Sequence, residues 1–152
     1  MRKALALALV MLMGICLVGN AMATPEEDEC VAKCQAAAKL IKEKGLEAAV
    51  AEINKKDGPF VSPNTFVILF DFTGVVKAHG MKPENVGKNK LEDKDSKGKA
   101  YYKEYMELAK AKGNGWVEHM WMSPEKKDLA KKTYVLRVEG QDLAVAAGTL
   151  VK

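Results

Sequence analysis

The sequence predicts an α+β domain: a five-stranded antiparallel sheet with a long N-terminal helix on one face and a loop plus a short helix over the other. Three observations point to it. Apolar residues recur at three- and four-residue steps between Pro25 and Lys56, and five short segments rich in β-branched and aromatic residues follow. Between the second and third of these lies a polar stretch, Gly80 to Gly98, too long for an ordinary turn.

The 152 residues are about one domain's worth, and the first of them do not read as domain. Arg2 and Lys3 form a basic start, Ala4 to Val18 carries no charge, and Ala21-Met22-Ala23 supplies the small residues that a signal peptidase reads. Residues 1–23 are therefore expected to be a signal peptide, cleaved before Thr24, with residues 24–152 as a single domain in the periplasm. The alternative is an uncleaved inner-membrane anchor, since Ala4 to Ala23 approaches the roughly 20 residues of a spanning helix. Cys16 follows Ile15, where a lipidation site wants Gly or Ala, and is assigned to the discarded segment.

Loss of Arg2 and Lys3 lowers the formal charge from +4 to about +2. So near a balance, with lysines spread along the chain, argues against an electrostatic nucleic-acid binder. Two cysteines remain, Cys30 and Cys34, in a C-x3-C spacing. Three readings stay open: an intramolecular disulfide at the upper limit of Cα separation, an intermolecular one, or two small apolar residues on one helical stripe. The spacing fits neither a zinc site nor haem attachment, and no cofactor is expected.

The long helix runs from Pro25, in its first turn, to about Lys56. Glu26, Glu27, Asp28 and Glu29 sit at its positive end, Gly45 marks a kink, and Asp57-Gly58-Pro59 ends it. Val31, Cys34, Ala38, Ile41, Ala49, Val50 and Ile53 form its apolar face. Thr65 to Asp71 and Val75 to His79 then read as a hairpin closed by a turn over Asp71 to Gly74. The Gly80–Gly98 loop follows; its Gly87-Lys88-Asn89 lacks the glycine pattern of a phosphate loop. Ala100 to Lys112 is the second helix, with Asp95 and Ser96 as starters and Gly113 as its stop. Gly115 to Met122, Lys132 to Val138 and Leu143 to Leu150 are the closing strands, and short links make neighbouring strands antiparallel.

The runs EINKKDGPFV, FVILFDFTGVVKAH, GKN, ELAKAKGNGWVEHMWMSP and KKTYVLRV resemble, in order and over nearly all of residues 25–150, the single Cache domain family. Members are extracytoplasmic sensing modules of bacterial chemoreceptors and sensor kinases. The resemblance implies a PAS-like sheet packed on the long helix, a small-molecule pocket between the sheet and the loops over its other face, and often a small carboxylate as ligand. Two positions depart from the pattern: Gly80 follows His79 where relatives have Pro, and His119 stands where they often have Tyr. The last strand is followed directly by the end of the chain, so a signal is expected to pass to another protein, such as a membrane-bound sensor or receptor.

Alternation places Val117, His119 and Trp121 on one face of their strand, and this set is assigned to the pocket. Trp121 supplies an apolar wall with an N–H donor, and His119 a donor to a carboxylate. His79 ends the second strand where the loop begins, and the family pattern makes it a ligand contact. Lys132 and Tyr134 share a face two residues apart and offer a cation and a hydroxyl to a carboxylate. Arg137, on the opposite face from Tyr134, reads as solvated. The expected ligand set is thus His79, His119, Trp121, Lys132 and Tyr134, with no metal. His79 and His119 with a carboxylate make the best metal grouping, a regulatory one.

Enzyme chemistry is not expected, because Ser62, Ser96 and Ser123 all flank loops and none sits in a nucleophile motif. The sequence therefore reads as a sensor or binding domain. The alternative is a periplasmic assembly protein that forms a homodimer through the long helix and keeps a vestigial pocket.

Overall fold

Thr24 opens the first helix. The computed structural model describes residues 22–152, so the signal-peptide assignment lies, apart from Met22 and Ala23, outside the described residues. Helix α1 spans Pro25–Lys44. Thr24 forms a capping box with Glu27: its hydroxyl accepts the Glu27 N–H at 3.2 Å and its own N–H donates to Glu27 Oε2 at 3.0 Å. Cys30, Cys34, Ala37 and Ile41 form the buried stripe.

The single helix expected to Lys56 is two. Gly45 takes φ +85°, a left-handed value that L side chains avoid, and α2 runs Leu46–Ile53 beyond it. The break turns Ala49 and Ile53 into the same apolar layer.

The sheet has five strands: β1 Val67–Asp71, β2 Val76–His79, β3 Asn114–Met122, β4 Asp128–Arg137 and β5 Leu143–Leu150, in the order β2-β1-β5-β4-β3 with every pair antiparallel. Strand β4 starts earlier than the sequence suggests, because β3 pairs along its whole length, out to Met122 opposite Asp128. The β1–β2 turn is held by Asp71, whose carboxylate accepts the N–H groups of Thr73 and Val75 and pairs with Lys77 at 2.8 Å. Gly74 closes that turn at φ +90°.

Two apolar layers flank the sheet. On one face α1 and α2 press Cys30, Cys34, Ile41 and Ile53 against Val67, Leu69 and Val145. On the other, helix α3 (Tyr101–Lys112), stopped by left-handed Gly113, packs Tyr102, Tyr105, Met106 and Ala109 against Phe70, Val117, Val135 and Ala144. The central strand β5 is buried on both faces, which suits its run of small residues.

Asp95 and Ser96 do not cap α3, whose N-cap is Ala100. Asp95 instead accepts backbone N–H groups from Lys97, Lys99 and Met120, which fastens the loop to the outer edge of β3, and Ser96 donates to Asp128. The loop's other end lies along β2: after a 3-10 turn at Pro83–Asn85, Val76 N–H donates to Lys88 O and Val76 O accepts the Gly87 N–H. Both sheet edges are thus covered.

Candidate functional site

The α3 face of the sheet is not filled to its end. Beyond Tyr105 the strands carry Ile68, Ala146 and Gly148, too short to reach the loop above them, and a cavity of about 360 Å³ remains. The sheet is its floor, the first turn of α3 one wall, and the segment from Lys82 to Lys90 its roof.

His79 reaches it from the end of β2. Asn54, capping α2, accepts the His79 backbone N–H at 2.9 Å, and Gly80 N–H donates to Val67 O at 3.0 Å. Gly80 therefore prolongs the β1–β2 ladder with an N–H that Pro lacks, and a side chain there would meet Val61 at 2.8 Å. The His79 Nδ1 accepts N–H groups from Met81 and Lys82 at 3.2 and 2.9 Å, so the proton sits on Nε2. Burial, with the Lys131 charge nearby, pushes its pKa down to about 4. His79 is a neutral donor, stacked on Phe66 with ring centroids 5.1 Å apart.

His119 is wired the other way. Its Nδ1 donates to Met120 O at 2.8 Å, so Nε2 is the acceptor, with the Tyr105 hydroxyl at 2.6 Å and that of Thr133 at 3.1 Å. Burial lowers its pKa too. Both nitrogens are occupied by protein groups, so His119 sets the orientation of Tyr105 and Thr133 and offers a ring face, against which Tyr101 stacks at 4.4 Å and 7°. The metal grouping weighed from the sequence does not form: His79 Nδ1 and both His119 nitrogens are engaged, and among the described residues no cluster of three ligating side chains occurs.

Trp121 lines the cavity, as does a residue the sequence reading passed over. Lys131 is 6% exposed, and among the described residues no carboxylate pairs with it. Its ammonium lies 4.2 Å from the Phe66 centroid and 4.7 Å from that of Trp121. Burial, reinforced by Lys82, lowers its pKa to about 8, so it is mostly cationic at neutral pH.

Lys132 and Tyr134 are not in this cavity. They point to the α1 face, where Lys132 Nζ binds Glu27 at 2.7 Å and Tyr134 packs on Trp116. The register is the reason: residues directly opposite in an antiparallel pair share a face, and His119 stands opposite Lys131 while Lys132 stands opposite Glu118. The cavity takes Lys131 and Thr133 in place of Lys132 and Tyr134. The adjacent lysines left the phase of β4 open, and the phase of β3 against it was the missing signal.

Cys30 and Cys34 are free thiols, both fully buried against the sheet. Cys30 contacts the Thr65 hydroxyl and Cys34 the Tyr134 carbonyl, so each has its own partner and neither surface is open to another chain. Both lie on the buried stripe of α1.

The cavity chemistry is one-sided. Donors converge, from Lys131 Nζ and His79 Nε2–H, and the one acidic lining residue is Glu84, exposed in the roof. Such a lining is chemically suited to an anion.

Comparison with known proteins agrees with the architecture. The Cache domain profile matches residues 35–152. A methyl-accepting chemotaxis protein from Vibrio parahaemolyticus RIMD 2210633 superposes with a TM-score of 0.68 at 21% identity, over 82% of this chain and 88% of that one. A Cache chemosensory domain, described for its carboxylic acid recognition, gives 0.69 at 23% over 82% and 92%. A periplasmic sensor domain of a chemotaxis protein gives 0.65 at 16% over 84% and 90%. No curated protein matches the sequence. Capped helix, five-stranded sheet, roofed cavity and a profile match from residue 35 to Lys152 agree: the chain belongs to the Cache domain family, whose members are sensor domains.

Proposed function

We propose that this chain is an exported Cache sensor domain that binds a small carboxylate in the Lys131 cavity and passes its occupancy to a partner protein. The observation that carries the reading is the buried Lys131 ammonium: it faces an open cavity with no carboxylate of its own, an arrangement that costs stability until an anion arrives. His79 Nε2–H lies on the same Phe66 ring as Lys131 and supplies a second donor. The carboxylic acid recognition described for one structural neighbour is consistent with this chemistry. Export rests on residues 1–23, and the Thr24 cap gives a chain cleaved there an ordered start.

Strand β4 offers a route for the output. Lys131 faces the cavity and the next residue, Lys132, holds Glu27 in the first turn of α1. A carboxylate that draws Lys131 therefore acts on the strand that anchors the start of α1.

The test is differential scanning fluorimetry and calorimetric titration of residues 24–152, purified from the periplasm without refolding, against a panel of carboxylates. The reading expects at least one acid to raise the melting temperature in the wild type and none in Lys131→Met. A melting temperature unmoved across the panel would overturn it.

A further inference from the structure

Given that reading of the cavity as a carboxylate site, we infer that its ligand is a ring-bearing monocarboxylate, aromatic or of similar flatness, and not an acid of two or three carbons. Volume is the first ground. A cavity of about 360 Å³ holds on the order of twelve water-sized groups at about 30 Å³ each, whereas acetate or propionate has about four or five non-hydrogen atoms and benzoate about nine. A short acid bound at Lys131 leaves most of the aromatic wall in contact with water, whereas a ring buries it.

The walls are the second ground. Tyr101, stacked on His119, continues into Tyr102 and Tyr105 with centroids 5.1 and 5.7 Å away, while Phe66 and Trp121 flank Lys131. These are flat, rigid surfaces against which a planar ring packs by offset or edge-to-face contact.

The third ground is the placement of charge. One deep cation, Lys131, fixes one carboxylate. The remaining lining lysines lie in the roof, where Lys90 is already bound to Asp93 at 2.7 Å, Lys88 is exposed and Lys82 is half-buried. A dicarboxylate would have to hold its second charge on Lys82 or Lys88 at the roof, where solvent screens the attraction more than it does at Lys131. The ring points from Lys131 toward Tyr101, and the roof closes over it.

Titration calorimetry of residues 24–152 with benzoate, 3-phenylpropionate, propionate, succinate and benzamide separates the possibilities. The inference expects a ring acid to bind at least tenfold more tightly than propionate or succinate, and benzamide, which has the ring without the charge, to bind weakly. Replacement Tyr101→Leu, its fold checked by circular dichroism, is expected to cut benzoate affinity more than propionate affinity, narrowing the gap. If propionate or succinate binds as tightly as the ring acids, the ring inference fails and the carboxylate reading stands. If benzamide matches benzoate, or no acid binds at all, both fail.

Discussion

Lys131 decides the chemistry of the cavity, and it does so by being uncomfortable. An ammonium that is 6% exposed, with aromatic rings as its neighbours, is held at a cost that the fold tolerates. Lys131→Met keeps the length of the side chain and removes the charge, so the ligand-free domain is expected to gain about 1–3 kcal/mol, read as a higher midpoint in urea, while losing carboxylate binding. The pH dependence has a definite sign. With a folded pKa of about 8 against 10.5 for a solvated lysine, the unfolded chain binds more protons in that window, so stability rises as pH goes from about 8 to 10.5 and the advantage of Lys131→Met shrinks. Carboxylate affinity moves the other way, falling as Lys131 deprotonates above pH 8. His79, about 4 folded against 6.5, gives a second window: its contribution is complete above pH 6.5 and is lost as pH falls toward 4. Urea titrations at a series of pH values check both windows.

Among the elements, β4 and β5 build the floor together, and Gly148 leaves no room for a side chain between them. A Cβ there would stand 2.4 Å from Thr133 Oγ1, 2.7 Å from Lys131 Cε and 2.9 Å from the Lys132 carbonyl oxygen. The last is backbone in the middle of a sheet and cannot step aside. Gly148→Ala is expected to cost about 1–3 kcal/mol and to weaken carboxylate binding by displacing Lys131, measured by urea unfolding and calorimetry on the same sample. The segment between the roof and α3 depends on a different device. Asp95 gathers three backbone N–H groups, one of them from the edge strand β3. Asp95→Ala is expected to free residues 93–99, seen as faster amide hydrogen exchange there with α1 unchanged.

Across the whole molecule, the two faces of the sheet have separate tasks. The α1–α2 face is dry and closed, with both thiols fully buried and burial raising their pKa values. Iodoacetamide is expected to leave Cys30 and Cys34 unmodified in the native state and to label them at the rate of global unfolding, checked by intact mass against denaturant; reductant leaves the melting temperature unchanged. The other face is open and polar at one end. The faces communicate at β4, where Lys131 and Lys132 point in opposite directions. Replacing Lys132 by Ala is expected to leave carboxylate affinity within about twofold, since the side chain is outside the cavity, yet to abolish any ligand-dependent change in hydrogen exchange in the first turn of α1. A tenfold loss of affinity in that variant would place Lys132 back at the ligand.

The sequence by itself determined most of the elements, because each is a local pattern: the acidic start at Pro25, the kink at Gly45 and the stop at Gly113, the alternation of β3 and the length of the polar segment before α3. It also placed His79, His119 and Trp121 on the cavity, His79 by its position at a strand end and family likeness and the other two by strand alternation. Which lysine joins them was beyond local reading. In the run Lys131-Lys132 either residue can face either way, and only the pairing of β4 with β3 and β5 fixes its phase, sending Lys131 to the cavity and Lys132 to Glu27. The hydroxyls that meet His119 Nε2 are likewise tertiary facts, one from α3 and one from β4, whereas the tautomers are set locally, for His119 by the Met120 carbonyl and for His79 by the N–H groups of Met81 and Lys82. Two-residue periodicity gives a strand its two faces, but what each face looks at is chosen by the neighbours it is paired with.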